Sequence, residues 1–425
     1  LKSTENSGFT TVVYVVNYFS VMNIQKKKKI ALVLSGGGIK AAAYHIGVCL
    51  ALKEKGFVFA GGPKELVRQK FAEAQNPDQP TSPTIRLYVG SSAGSFVASV
   101  LASGRSLEAL ITAFQVGAGS PLFYDIPKED YLKPIGYRHL FHLNSRRILS
   151  WLPESLLQKS LLTGGLEVFL KKGFTLNGLF NTNGIERYLR KYVLDENDFS
   201  RLGVELYVIS TQLNHSRKTI FGPYLESSKT DTTRYIGYSS ISEAVAASTS
   251  LPPVYAPYPI KKPDGNTLYH YDGEIRDTLS THVAADHGAD LIIASYSMQP
   301  YHYSPEAGSL HTYGMPAIMN QALYQVLEQK VARGIQFQQK KKDVYYELKK
   351  ATEELNLSVT QKEKILNIVK DKLAFNPSID YIYIAPRAHD YEMFFADHFS
   401  LNPIILQKIL KIGFKSGLQV LKDYL

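Results

Sequence analysis

An α/β fold with a central, mostly parallel sheet follows from three features of the sequence. Short apolar runs at 30–35, 85–89, 204–211, 290–296 and 379–385 have the length of buried strands. Segments of helical period, beginning with 39–55, alternate with the early runs, an order that places helices on both faces of a parallel sheet. Two runs lead straight into loops of small residues, Gly36-Gly37-Gly38 and Gly90-Ser91-Ser92-Ala93-Gly94, at the strand edge where such sheets hold ligands.

Taken in order, IALVLS at 30–35 is the first strand, and IKAAAYHIGVCLALKEK at 39–55 is a helix that Gly56 ends. A brief apolar run, FVFA, precedes the polar loop NPDQPTSPT, after which strand 85–89 delivers the chain to a helix opened by Ser92. Residues 118–173 read as an insertion rich in Tyr, Leu and Arg; they include Trp151 in RRILSWLPESLLQKSLL, a helix packed on its own domain rather than a lipid anchor. Pro263-Asp264-Gly265-Asn266 is a hairpin turn signal, which accounts fully for Asp264. Long helices are expected over 314–374. In the last segment, 403–424, Lys408, Lys411, Lys415 and Lys422 gather on one helical face, leaving Ile405, Ile409, Ile412 and Leu421 for burial.

The 425 residues, 44% hydrophobic and 20% charged, suffice for a large core. One cysteine, Cys49, excludes an intrachain disulfide and a cysteine zinc cluster and is read as a packed side chain. The net charge of +10 rises partly from Lys26 to Lys29, Lys340 to Lys342 and the C-terminal lysines. Each cluster alone is a solvated face; together they suit an anionic membrane surface. No nucleic-acid module accompanies them. Residues 1–27 read as an N-terminal extension. Its apolar stretch 9–22 falls short of the roughly 18 to 20 residues of a spanning helix and lacks the basic flank of a cleaved signal.

The chemistry lies in the loops. In G-x-S-x-G the flanking small residues let the chain turn sharply from strand to helix and present the Ser92 hydroxyl. The three glycines let backbone N–H groups approach a substrate closely, with the positive end of the following helix aimed at the same place. A third element, Tyr271-Asp272-Gly273-Glu274, follows ASTSLPPVYAP and precedes HVAADHGADLIIAS. The order GGGIK, GSSAG, then Asp-Gly resembles the patatin-like phospholipases, over residues 28–117, 174–222 and 238–298 and more weakly at the C-terminus.

The resemblance implies a three-layer α/β/α fold with helical insertions, a Ser-Asp dyad without histidine, and no metal or organic cofactor. Matched position by position, it makes Ser92 the nucleophile, Asp272 the general base, Gly36, Gly37 and Gly38 the oxyanion loop, and Lys40 the basic residue after that loop. The implied partners are membrane lipids or lipid aggregates. The chain departs from the family pattern at Ala41, Glu274, Thr278 and Ser280; Glu274 sets a second carboxylate beside Asp272, where like charges raise a pKa.

The expected organisation is a catalytic domain over 28–300 carrying the insertion 118–173. A helical region over 301–425 packs on that domain and contributes a late strand near 379–385. The expected site of action is the cytoplasm or a membrane periphery, the alternative being secretion without a cleaved signal peptide. Three alternatives stand beside the Ser-Asp hydrolase. One is an inactive lipid-binding scaffold of the same fold. Another is a dinucleotide-binding protein, since Gly36 to Ala41 also fits G-x-G-x-x-A, although FVFAGG lacks the ribose-binding acid. The third is a Ser-Asp-His triad completed by His282 or His287.

Overall fold

A computed structural model describes residues 23–73, 82–118, 126–144 and 177–424. Eleven strands join in one sheet. They are β1 (Ile30–Leu34), β2 (Val58–Phe59), β3 (Thr84–Ser91), β4 (Glu205–Gln212), β5 (Arg217–Phe221), β6 (Ser228–Lys229), β7 (Thr233–Ile236), β8 (Tyr258–Lys261), β9 (Thr267–Asp272), β10 (Leu291–Ser295) and β11 (Asp380–Ile384). The spatial order is β11-β10-β1-β3-β4-β5-β7-β6, with β2 on the flank of β3 and the hairpin β8–β9 attached to β4. The run from β11 to β4 is parallel throughout. Antiparallel pairing enters where β4 meets β5 and β9.

Every residue of β1 and β10 is buried. That is the signature of parallel strands covered on both faces, and it explains why their sequences are unbroken apolar runs rather than alternations. Two cores result. The face containing Leu32, Leu34, Tyr88 and Ile293 packs on α1 (Gly38–Glu54) and α2 (Ala93–Ala102). The opposite face, with Val33, Val89 and Ile292, packs on α4 (Thr281–Asp286) and part of α5 (Gly314–Glu354). Between α2 and α4 in the chain, α3 (Ile241–Ser248) is capped by Ser240 and Glu243 in a reciprocal box. Helices α6 (Val359–Leu373) and α7 (Pro403–Leu421) complete the C-terminal part.

The late strand β11 extends the same sheet through β10, so residues beyond 300 share the architecture of the rest. Helix α7 lies directly on α1: a methyl group on Gly413 would stand 2.1 Å from the Tyr44 carbonyl oxygen, and one on Gly47 the same distance from that of Leu410. Such contact requires small residues at both crossings. Ile409 and Leu421 are buried there while Lys408, Lys411, Lys415 and Lys422 face solvent, so docking accounts for the C-terminal pattern.

The Lys26–Lys29 run, read above as part of a cationic surface, is largely committed to the sheet edge. Lys27 pairs with Asp380 at 2.6 Å, Lys29 pairs with Glu205, and the backbone N–H groups of Lys28 and Lys29 donate to the Asp290 carboxylate at 2.7 and 2.9 Å. Asp264 sits in the β8–β9 turn, where it accepts the Asn266 N–H at 2.9 Å. Trp151 and the apolar stretch 9–22 lie outside the described residues. Among those described, no helix is long and apolar enough to cross a membrane.

Candidate active site

Strand register brings the two loops and the acid together. At its carboxyl end β3 pairs with β4, Ser91 opposite Ile209. There β3 leaves the sheet, and β9 takes its place beside β4 from the opposite direction, so that Asp272 stands opposite Ser210, one residue further along. On the other side of β3, Leu34 of β1 lies opposite Gly90, which puts the glycine loop next to the same exit. Thus Ser92, Asp272 and Gly36 to Gly38 converge although 180 residues part the first two in sequence.

Ser92 occupies the turn with φ 50° and ψ −125°, a region that costs a non-glycine residue about 1–3 kcal/mol. Tertiary contacts hold it there. Its N–H donates to Ser248 Oγ at 2.8 Å, and that hydroxyl donates to the Ile209 carbonyl at 2.5 Å, while Ser95 Oγ donates to the Ser92 carbonyl at 2.6 Å. Two positions on, a methyl group at Gly94 would meet the carbonyl oxygens of Leu34 and Ser35 at 2.3 and 2.5 Å, so only glycine lets α2 start this close to β1.

Asp272 is 1% exposed. Burial pushes its carboxyl up to about 6, while the neighbouring Ser92 hydroxyl and the Glu274 N–H, which donates to Oδ1 at 2.9 Å, draw it down. The strand fixes it further, through Asp272 N–H to the Ser250 carbonyl at 3.1 Å and Thr211 Oγ1 to the Asp272 carbonyl at 3.0 Å.

The glycine loop departs from its expected role at one position. The N–H of Gly36 donates to Glu274 Oε1 at 2.7 Å and is therefore engaged within the protein. The N–H groups of Gly37 and Gly38 take no acceptor among the described residues; with φ of 130° and 74° they open α1 in conformations that favour glycine. Lys40 is turned toward the C-terminal segment. It is buried, and its Nζ donates to the carbonyls of Met393 at 2.7 Å and Ala396 at 3.1 Å. Burial brings its pKa down to about 7, offset in part by Asp397. The same segment holds α1 through Ile39 N–H to the His398 carbonyl at 2.6 Å.

Neither histidine of the triad alternative contacts the pair. His282 Nε2 meets Lys218 Nζ at 2.5 Å and Asp277 at 3.4 Å, and His287 Nδ1 bonds the Val283 carbonyl at 2.8 Å. A third histidine, not singled out in the sequence, lines the cavity: His139, whose pKa is lowered by burial and by Arg138 and Lys133. Its Nδ1 accepts the Gly136 N–H at 3.0 Å, so the neutral ring carries its proton on Nε2 and has no free lone pair to offer Ser92.

Ser92 opens onto an apolar cavity lined by Ile39, Ala42, Phe96, Phe114, Leu140 and Phe399, among others. Phe399 comes from the C-terminal part and Leu140 from within the 118–173 region, so both contribute walls. The dinucleotide alternative finds no support in this geometry: β2 is two residues long and ends without an acid, and the glycine loop faces Ser92.

The family model for patatin-like phospholipase matches residues 32–285. No curated protein matches the chain. Among solved structures, VipD from Legionella pneumophila is similar at 15% identity with a TM-score of 0.35, over 94% of this chain and 67% of that one. The complex of SpcU with ExoU from Pseudomonas aeruginosa is similar at 16% identity with a TM-score of 0.20, over 90% of this chain and 76% of the other.

Proposed function

The chain belongs to the patatin-like phospholipase family, whose model spans more than half of it, and from that premise we propose that it hydrolyses carboxylic esters of membrane lipids with Ser92 as nucleophile and Asp272 as base. The observation that carries this reading is the meeting of a strained serine, a buried carboxyl and two unengaged glycine N–H groups at the mouth of an apolar cavity. The cavity suits an acyl chain, since its walls return hydrophobic energy and offer few polar groups that a hydrocarbon would strip of water.

In the first step Ser92 Oγ bonds to the ester carbonyl carbon and its proton passes to Asp272. The carbonyl oxygen gains negative charge, which the Gly37 and Gly38 N–H groups and the positive end of α1 stabilise. The carbon–oxygen bond to the glycerol side then breaks, and Asp272 returns the proton to the departing alkoxide. Water attacks the acyl-serine, giving its proton to Asp272, and Ser92 recovers it as the fatty acid leaves. The raised pKa of Asp272 makes it a better base than a free aspartate while keeping it ionised near neutrality.

A fluorophosphonate probe tests the assignment. Labelling should map to the Ser92 peptide and vanish in Ser92→Ala. An inactive scaffold of the same fold would label no better than the variant.

A further inference from the structure

We propose that Glu274 is a positioning residue of this site: as a neutral acid it fixes the oxyanion loop through Gly36, and on ionising it slows the reaction. This rests on the reading of Ser92 and Asp272 given above.

The geometry is specific. Glu274 is 5% exposed, and its Cγ lies 2.5 Å from where a methyl group on Gly36 would stand, with Ser92 Cβ at 2.7 Å from the same point. Glu274, Gly36 and Ser92 therefore share one small space. Oε1 accepts the Gly36 N–H, whereas Oε2 is buried and makes no hydrogen bond of its own. An ionised carboxylate left in that state would carry a large desolvation penalty, and a protonated one a much smaller one.

The surroundings decide which of the two acids keeps the proton. Asp272 accepts the Glu274 N–H and Glu274 the Gly36 N–H, and each has a serine hydroxyl nearby, Ser92 and Ser91, so the difference lies in the charges around them. Glu274 faces Asp272 and Asp277 on its own segment, Ser91 from β3, and Tyr296 beyond β10. No cation among the described residues pairs with it: Lys218 is engaged with Asp277, and Lys330 reaches only the Ile275 carbonyl. Burial first, then the Asp272 charge, push the Glu274 carboxyl up to about 8. Since the acids interact, their titration belongs to the pair, with Asp272 ionising first.

Between the two transitions Asp272 is a base and Glu274 is neutral. Above the second, a new negative charge sits against the loop that must receive the oxyanion, and opposes it. The rate therefore falls at alkaline pH for a reason absent where this position holds a small residue.

The test compares kcat/KM against pH for a fatty-acyl p-nitrophenyl ester in the wild type, Glu274→Gln and Glu274→Ala. The wild type should give a bell. Both variants should lose the alkaline limb and keep the acid limb, glutamine also keeping an acceptor for Gly36. A second readout does not need turnover. A folded pKa raised from 4.5 to about 8 makes ionisation cost stability. The Tm of Glu274→Gln minus that of the wild type should thus widen as pH rises through that window and level off above it. An alkaline limb shared by all three proteins, or a Tm difference that does not change with pH, overturns the proposal. Turnover persisting in Ser92→Ala would instead overturn the underlying reading of the site, while the Tm series still reports on Glu274.

Discussion

At the scale of single residues, two side chains are held in unfavourable states. Ser92 carries backbone strain and Asp272 a buried carboxyl, and both are tolerated because neighbouring strands over-determine their positions. The cost should be measurable. With its folded pKa raised from 3.8 to about 6, Asp272 draws stability away as pH climbs through that interval, so Asp272→Asn should raise Tm at neutral pH while abolishing turnover. The wild type should lose activity below about pH 6, by about tenfold per unit, because a protonated Asp272 cannot accept the serine proton. A Tm that falls in Asp272→Asn, or an acid limb surviving far below that point, would contradict the assignment. Of these features the local motifs in the sequence singled out Ser92 and Asp272 as candidates, and the strand register brings the two together. The sequence could not reveal that Glu274 takes the Gly36 N–H, since that contact bridges 238 positions of separation and depends on which way one side chain turns.

At the scale of elements, strand exits do the positioning. The runs at 30–35 and 85–89 were readable because strands buried on both faces need nearly continuous hydrophobicity, and 379–385 because an edge strand alternates, with Ile382 and Ile384 buried and Tyr381 and Tyr383 half-buried; Ile30–Leu34, Thr84–Ser91 and Asp380–Ile384 are the strands formed. The substitution of β9 for β3 beside β4 was not readable: it is a matter of register between distant segments, which no local period encodes. The glycine loop is the element most sensitive to change. At Gly37, φ is 130° and a methyl group would stand 2.9 Å from Ser297 Oγ, so Gly37→Val must move the loop. Loss of one oxyanion donor costs about 2.7–4 kcal/mol of barrier. The expected result is therefore a fall in kcat of about 100- to 1,000-fold with KM much less affected. A change confined to KM would show that the loop binds substrate without stabilising the transition state.

At the scale of the whole molecule, the C-terminal part packs onto the region that the family model matches. It lies beyond residue 285, yet supplies β11 to the sheet, Phe399 to the cavity wall, and the carbonyls that hold Lys40 and Ile39. Lys40 illustrates what motif matching misses: its place after the glycine loop was evident, but its partners lie more than 350 residues away. Its hydrogen bonds tie the start of α1 to the C-terminal segment. Lys408, Lys411 and Lys415 lie on the exposed side of α7. The proposed outcome is the release of fatty acid by Ser92. The most direct measurement is free fatty acid liberated from phospholipid vesicles by the wild type and by Ser92→Ala, each confirmed folded by its thermal midpoint. Release by the wild type alone is the predicted result; equal release by both would contradict the account.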